Sequence, residues 1–217
     1  RVILSFLLDR IKHPFKKSEK KYFRNLHIEY LKTKNITTDF FSINAYYWKK
    51  FIGTLTEDFK YLEIGSWEGN SALFIINNFK VKKVVCVDIW EDEIFKEEQH
   101  KNFNNYKKNI NEFSNIVETF KGTSDSFFLN QKDKYDVIYI DGSHEADQVY
   151  KDIKNSWNIL NINGILICDD YFYGNIYKNP DNVPSIAINK FVNELLENNT
   201  VGILCVNNSQ IFLKKRN

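Results

Sequence analysis

Seven apolar runs, spaced by helix-length segments, constrain what this chain can fold into more than any other feature. From residue 59 onward strand patterns recur at Tyr61–Ile64, Val84–Asp88, Ile116–Phe120, Val137–Asp141, Ile165–Asp169, Gly202–Val206 and Gln210–Leu213. The clearest helix between them carries Ala146, Val149, Ile153, Trp157 and Leu160 at three- and four-residue spacing, a stripe suited to covering one sheet face. The runs Val84–Val87, Val137–Ile140 and Ile165–Ile167 are apolar without interruption, as strands buried on both faces are. Such alternation predicts a parallel sheet with right-handed crossovers. Only Asn207-Asn208-Ser209 joins the last two runs, a hairpin-length link, so the seventh strand is expected to run antiparallel.

The expected fold class is therefore α/β: a Rossmann-like, seven-stranded, mostly parallel sheet with an antiparallel seventh strand, flanked by helices and preceded by an N-terminal helical extension. With 217 residues, 43% of them hydrophobic, the chain can bury one sizeable core, which the reading places in residues 56–217. Residues 1–55 read as an accessory segment. Val2-Ile3-Leu4 and Phe6-Leu7-Leu8 suggest a short apolar helix ending at Lys12-His13-Pro14, followed by a charged helix over 18–33 and an aromatic one over 43–52. Docking of these helices on the domain, or on a second subunit to make a homo-oligomer, is preferred to membrane contact. A net charge of +2 gives no reason to expect nucleic acid as a partner. No apolar run approaches the roughly 20 residues of a membrane span. Cys86, Cys168 and Cys205 are odd in number and sit in apolar strands, so buried free thiols and a reducing, cytoplasmic setting are expected. A chain of this length without any methionine, its first residue included, is read either as trimmed or as lacking its modified methionine residues.

The first strand runs into Gly65-Ser66-Trp67-Glu68-Gly69, and a helix pattern begins at Ser71. A strand–turn–helix unit of this kind opens a backbone-lined crevice at the carboxyl end of the sheet, where open α/β folds bind nucleotide-like ligands. The spacing is Gly-x-x-x-Gly, without the Gly-x-Gly-x-x-Gly that presses a helix against a pyrophosphate, which weighs against a nicotinamide oxidoreductase. An acid, Glu63, precedes the turn instead. That suits a ligand with a cationic end, and S-adenosylmethionine carries both an ammonium and a sulfonium. Asp88 follows some twenty residues later, where an acid accepts ribose hydroxyls, or alternatively caps the strand turn. Ile89 and Trp90 stand where adenine could be sandwiched, with core packing as the other reading of Trp90. Gly122, Thr123 and Ser124 either meet the adenine edge or form a plain turn and helix N-cap.

A second constellation combines Asp141-Gly142-Ser143-His144 after the fourth strand with Asp169-Asp170 after the fifth. Neighbouring strands lie about 4.8 Å apart, so these carboxylates would converge. Three acids crowded together repel and raise one another's pKa unless a cation joins them. A hard, oxygen-binding ion such as Mg²⁺ fits that need. His144 falls in the first turn of the next helix with Ser143 as its expected N-cap, a position that favours a neutral ring able to act as general base. His13, His27 and His100 are read as surface residues. Tyr171 and Tyr173, with Tyr46, Tyr47 and Trp48, could stack on a sugar ring or be core.

The runs Leu62–Gly69, Cys86-Val87-Asp88-Ile89-Trp90, Tyr139–His144 and Asp169-Asp170-Tyr171, in that order, resemble class I S-adenosylmethionine-dependent methyltransferases. Within these they are similar to the small O-methyltransferases grouped with the macrocin-type, macrolide-sugar enzymes, over roughly residues 59–215. The resemblance implies Mg²⁺ held by Asp141, Asp169 and Asp170, with His144 as base. It implies cofactor contacts from Glu63, Gly65, Ser66, Trp67, Gly69, Ser71, Asp88, Ile89, Trp90, Thr123, Ser124 and Asp141. The expected acceptor is a hydroxyl of a sugar, a glycoside or another small hydroxylated metabolite. Metal-independent transfer to nitrogen or nucleic acid, a nicotinamide enzyme and a binding-only relative are the alternatives.

Overall fold

The structure, a computed structural model, describes residues 2–91, 96–173 and 183–217, with backbone alone at 2–6, 8–15 and 96. Its elements are α1 (Val2–Leu31), a 3₁₀ turn (Ser42–Asn44), α2 (Ala45–Ile52), β1 (Phe59–Ile64), α3 (Asn70–Asn78), β2 (Val81–Asp88), α4 (Lys96–Ile110), β3 (Val117–Lys121) and α5 (Ser124–Leu129). There follow β4 (Tyr135–Ile140), α6 (Ala146–Ile159), β5 (Leu160–Cys168), α7 (Pro184–Glu197), β6 (Val201–Asn207) and β7 (Gln210–Lys215). The strands form one seven-stranded sheet in the order β3-β2-β1-β4-β5-β7-β6. Every expected strand is present. Strand β7 runs antiparallel to both β5 and β6, as the short link after β6 requires.

By compactness the chain divides into residues 13–127 and residues 1–12 with 128–217. In the first part β1 pairs parallel with β2, and β2 with β3. Residues 13–55 belong to this part. Its core is aromatic. Trp48 and Tyr61 are fully buried, and the rings of Phe41 and Trp48 meet edge-on at 4.7 Å, with Phe74 at 5.1 Å from Phe41. Tyr46, Tyr47 and Trp48 are 5%, 1% and 0% exposed, so they are core and not a sugar platform. His27, expected at the surface, is 2% exposed and packs edge-on against Phe41 and Phe74. Helical spacing puts it on the same face of α1 as Phe23 and Leu31, a stripe hidden among the charges around it. His100 is exposed as expected, and the side chain of His13 lies outside the described residues.

Helix α1 also departs from expectation by running through Pro14 to Leu31. A proline removes only one intrahelical bond, and strong helix formers on both sides carry the helix across it. In the second part β4 pairs parallel with β5, and α6 lays Val149, Ile153 and Trp157 into the core. All three cysteines are free and buried. No helix among the described residues is long and apolar enough to cross a membrane.

Candidate active site

The turn after β1 is strained and tightly held. Gly65 and Gly69 adopt φ of 89° and 82°, and Trp67 between them adopts 48°, a left-handed backbone rare for a bulky residue. A Cβ on Gly69 would stand 3.1 Å from the Tyr106 ring, a tight contact that adds to the conformational demand for glycine. Asp88 at the end of β2 fixes the turn: its Oδ2 accepts the Ser66 and Trp67 amides at 2.9 and 2.8 Å, and its Oδ1 accepts the Trp90 amide at 3.0 Å. The carboxylate expected to meet a ribose thus already shapes the loop around it. Trp90 donates its indole N–H to the Trp67 carbonyl at 2.7 Å and packs against Tyr106 and Phe103. At 2% exposure Trp90 is core, and Ile89, 46% exposed, is the apolar surface beside Asp88.

Glu63 is fully buried beneath this turn. Its Oε2 accepts the hydroxyls of Ser71 at 2.7 Å and Tyr61 at 2.8 Å. Burial pushes its carboxyl above the usual range, while the surrounding hydroxyls, Ser71 first, pull it back. Trp67 Nε1 is buried in this region without a hydrogen-bond partner, and Glu63 Oε1 and Ser66 Oγ are buried without a well-formed hydrogen bond, with Ser66 and the Cys86 thiol close to the Glu63 carboxyl. Leaving such groups unpaired costs about 1–3 kcal/mol each, so the turn fits a polar ligand that would pair with them. Thr123 is exposed and its Oγ1 accepts the Ser126 amide at 3.2 Å, the capping bond of α5. That is the turn-and-cap reading of Thr123 and Ser124.

At the other acidic cluster, Asp141 and Asp169 each lie one residue beyond the end of their strand. Ligand atoms of Asp141, His144 and Asp170 all lie within 4.8 Å of one another, which fits a divalent ion with oxygen and nitrogen donors. Asp170 has φ of 54°, joining Trp67 and Trp90 as a left-handed non-glycine residue among the candidate site positions. Its Oδ2 sits 2.7 Å from His144 Nε2. The hydrogen bond to Asp170 raises the His144 pKa above its ordinary value, against a smaller opposing effect of burial. The helix-terminus argument for a depressed value is overridden because α6 starts only at Ala146, with Glu145 and not Ser143 at its N-cap. Ser143 Oγ instead accepts the Glu145 amide at 3.1 Å.

Asp169 stands outside this trio. Its Oδ2 accepts the Gln210 side-chain amide at 2.6 Å and a short hydrogen bond from the Tyr139 hydroxyl, and its Oδ1 accepts the Asp170 amide at 2.8 Å. Burial pushes its carboxyl up to about 6. The Tyr139 hydroxyl also lies 2.8 Å from Asp141 Oδ2. One O–H cannot donate to two carboxylates at once, so this geometry favours a proton on one of the acids. Tyr139 and Gln210 are hydrogen-bond partners of Asp169 that sequence reasoning missed. Tyr139 was within reach of it, since residues two apart share a strand face. Tyr171, 7% exposed, bonds Asn189 and is core, whereas Tyr173, 39% exposed, lies with its ring 4.2 Å from that of His144.

A sheet with this strand order, a glycine turn after its first strand and acids after its fourth and fifth defines the architecture of the class I methyltransferases. Residues 62–171 match the profile of the family described as "Methyltransferase domain", and the chain belongs to that family. Among curated proteins it is 29% identical over 119 residues to "Uncharacterized protein R132" of Acanthamoeba polyphaga mimivirus, covering 53% of this chain. The chain spans about half the length of that relative, 52%. Among solved structures, an O-methyltransferase from Bacillus cereus in complex with SAH is 12% identical, with TM-score 0.60 and 100% of each chain covered. MycE methyltransferase of the mycinamycin pathway, in complex with Mg and SAH, is 14% identical with TM-score 0.60, covering 82% of this chain and 51% of that one. The SAM-bound O-methyltransferase TomG from Streptomyces achromogenes is 14% identical with TM-score 0.56, covering 72% of each chain. At these identities the likeness is one of fold.

Proposed function

We propose that this protein is an S-adenosylmethionine-dependent O-methyltransferase whose acceptor is a hydroxyl of a sugar, a glycoside or a similar small hydroxylated metabolite. The observation that carries the reading is the Asp141–His144–Asp170 trio, beyond the ends of β4 and β5, in a chain whose family is a methyltransferase domain. The similarity in fold to MycE, solved with Mg and SAH, supports a divalent ion there.

The turn after β1 is assigned to the methyl donor, which when bound supplies an electrophilic methyl group. Glu63, Ser66 and Trp67 have buried polar atoms to offer it, and Asp88 keeps the turn in its strained shape. Asp141 and Asp170 would hold Mg²⁺, which when bound lowers the pKa of a hydroxyl. Asp169, held by Gln210, shares the Tyr139 hydroxyl with Asp141 and would help to orient it through that hydroxyl. His144 is the general base. Because its Nε2 faces Asp170, its Nδ1 is the atom left to take the proton. Tyr173, beside the His144 ring, provides a partly exposed aromatic edge against which a sugar ring could pack.

A second reading has one observation of its own. The 2.7 Å Asp170–His144 contact is an oriented acid–base pair that needs no ion, as a metal-independent methyltransferase would use. The test is calorimetry with S-adenosylmethionine against NADH, followed by transfer of labelled methyl to glycosides, deoxysugar nucleotides and catechols. Saturable binding of the methyl donor with label on a hydroxyl is the expected result. Binding of NADH alone would refute the assignment.

A further inference from the structure

The stretch joining α1 to α2 reaches the glycine turn at two points. Glu68, inside the turn, is 1% exposed, and a carboxyl so buried is tolerated only with its donors in place. Three donors serve it. The Thr37 amide reaches Oε2 at 2.6 Å, while the Thr37 hydroxyl at 2.9 Å and the Asn105 side-chain amide at 2.6 Å reach Oε1. Asn109, also 1% exposed, donates to the Glu68 carbonyl at 2.9 Å and accepts the Asn35 amide at 2.7 Å. Two residues on, Asn70 donates to Asp39 at 3.0 Å and bonds His27 at 2.8 Å. Asp88 therefore fixes Ser66 and Trp67, whereas residues 27–39 and α4 fix Glu68 and Asn70.

We propose that residues 35–39 are a strap belonging to the methyl-donor site, and that Glu68 is the positioning residue through which the strap sets donor affinity. Trp67 holds a left-handed backbone that an aromatic residue keeps only when its surroundings enforce it. The buried Ser66 Oγ and Trp67 Nε1 lie two residues and one residue from Glu68, so a turn released at Glu68 would misdirect both. The inference rests on the methyltransferase reading of the turn. It gives the N-terminal segment a role beyond docking.

The experiment compares the wild type with Glu68→Gln, Thr37→Ala and the double variant. S-adenosylhomocysteine affinity is measured by calorimetry, and amide exchange at Ser66–Asn70 is measured without ligand. Ile188→Ala, a core change in α7 of the other part of the chain, controls for lowered stability. Loss of a hydrogen bond to a charged group weakens an interaction by about ten- to a hundredfold. Glu68→Gln is expected to lose affinity in that range and to exchange its turn amides faster. Thr37→Ala, at an exposed position that leaves folding intact, is expected to lose less. The double variant is expected to be no worse than Glu68→Gln, because the two residues share bonds. Ile188→Ala is expected to bind as wild type does. If Glu68→Gln and Thr37→Ala bind within twofold of wild type with unchanged exchange, the strap has no such role. If Glu68→Gln does not fold, Thr37→Ala decides by the same two readouts. If the wild type itself binds no S-adenosylhomocysteine, the methyltransferase reading falls first and the strap's role with it.

Discussion

Asp170 couples backbone strain to side-chain chemistry: held at φ of 54°, it places Oδ2 2.7 Å from His144 Nε2. The sign of the resulting pH effect follows directly. A histidine whose folded pKa is raised binds its proton more tightly in the folded state. The pair's stabilisation is complete below the ordinary histidine value and fades as pH rises through the raised one. An NMR titration of the His144 ring in EDTA-treated protein is expected to show a midpoint above 6.5, falling toward the ordinary value in Asp170→Asn. An unshifted midpoint in both would show the pair to be unimportant. As general base His144 must be neutral, so His144→Ala is expected to lower kcat by about 10²- to 10⁴-fold, with an altered pH–rate profile. Asp141 and Asp170 were legible as neighbours from Asp-Gly-Ser-His and Asp-Asp read together, whereas His144 was read as a base and Asp169 as the third ligand. The turning of Asp169 toward Tyr139 and Gln210 was not, because a strand-end side chain follows its cross-strand partner, and Gln210 lies 41 residues away on β7.

Turns and helices show why parts of the fold could be read and others not. The strands were legible because runs such as Val84–Val87 are buried on both faces and so admit no polar residue. The glycine turn was legible for the matching reason that φ of 82° at Gly69 leaves little choice of residue. Gly69→Ala is expected to destabilise the protein by about 1–2 kcal/mol in urea unfolding, from the left-handed conformation alone. The contact with Tyr106 would add to that. Helix α1 was misread because a proline signal was weighed over the long helical pattern around it, and the His27 stripe was lost among lysines. Burial lowers the His27 pKa, the hydrogen bond that its ring donates to Asn70 Oδ1 opposing in part. Here the sign is reversed. Stability is present above the ordinary histidine value and lost as pH falls through the lowered one. Urea midpoints of the wild type are expected to drop on acidification through that window, and those of His27→Phe to drop less. Parallel curves would contradict the burial argument.

At the scale of the whole molecule, an aromatic core and a charged sheet mouth divide the work of stability and chemistry. Trp48→Ala is expected to cost about 3–5 kcal/mol, the range for truncating a buried aromatic. Donor affinity should be kept at temperatures where the variant remains folded. The acids after β4 and β5 should behave in the opposite way, since a carboxylate gathered for an ion adds repulsion in the ion's absence. The most direct test is transfer of labelled methyl from S-adenosylmethionine to an acceptor hydroxyl, with Mg²⁺ or with EDTA, in the wild type, Asp141→Ala and Asp170→Ala. We expect transfer in the wild type with Mg²⁺ alone. It should be abolished in both variants, with S-adenosylhomocysteine affinity within several-fold of wild type. Undiminished transfer in EDTA, or by Asp141→Ala, would contradict the account.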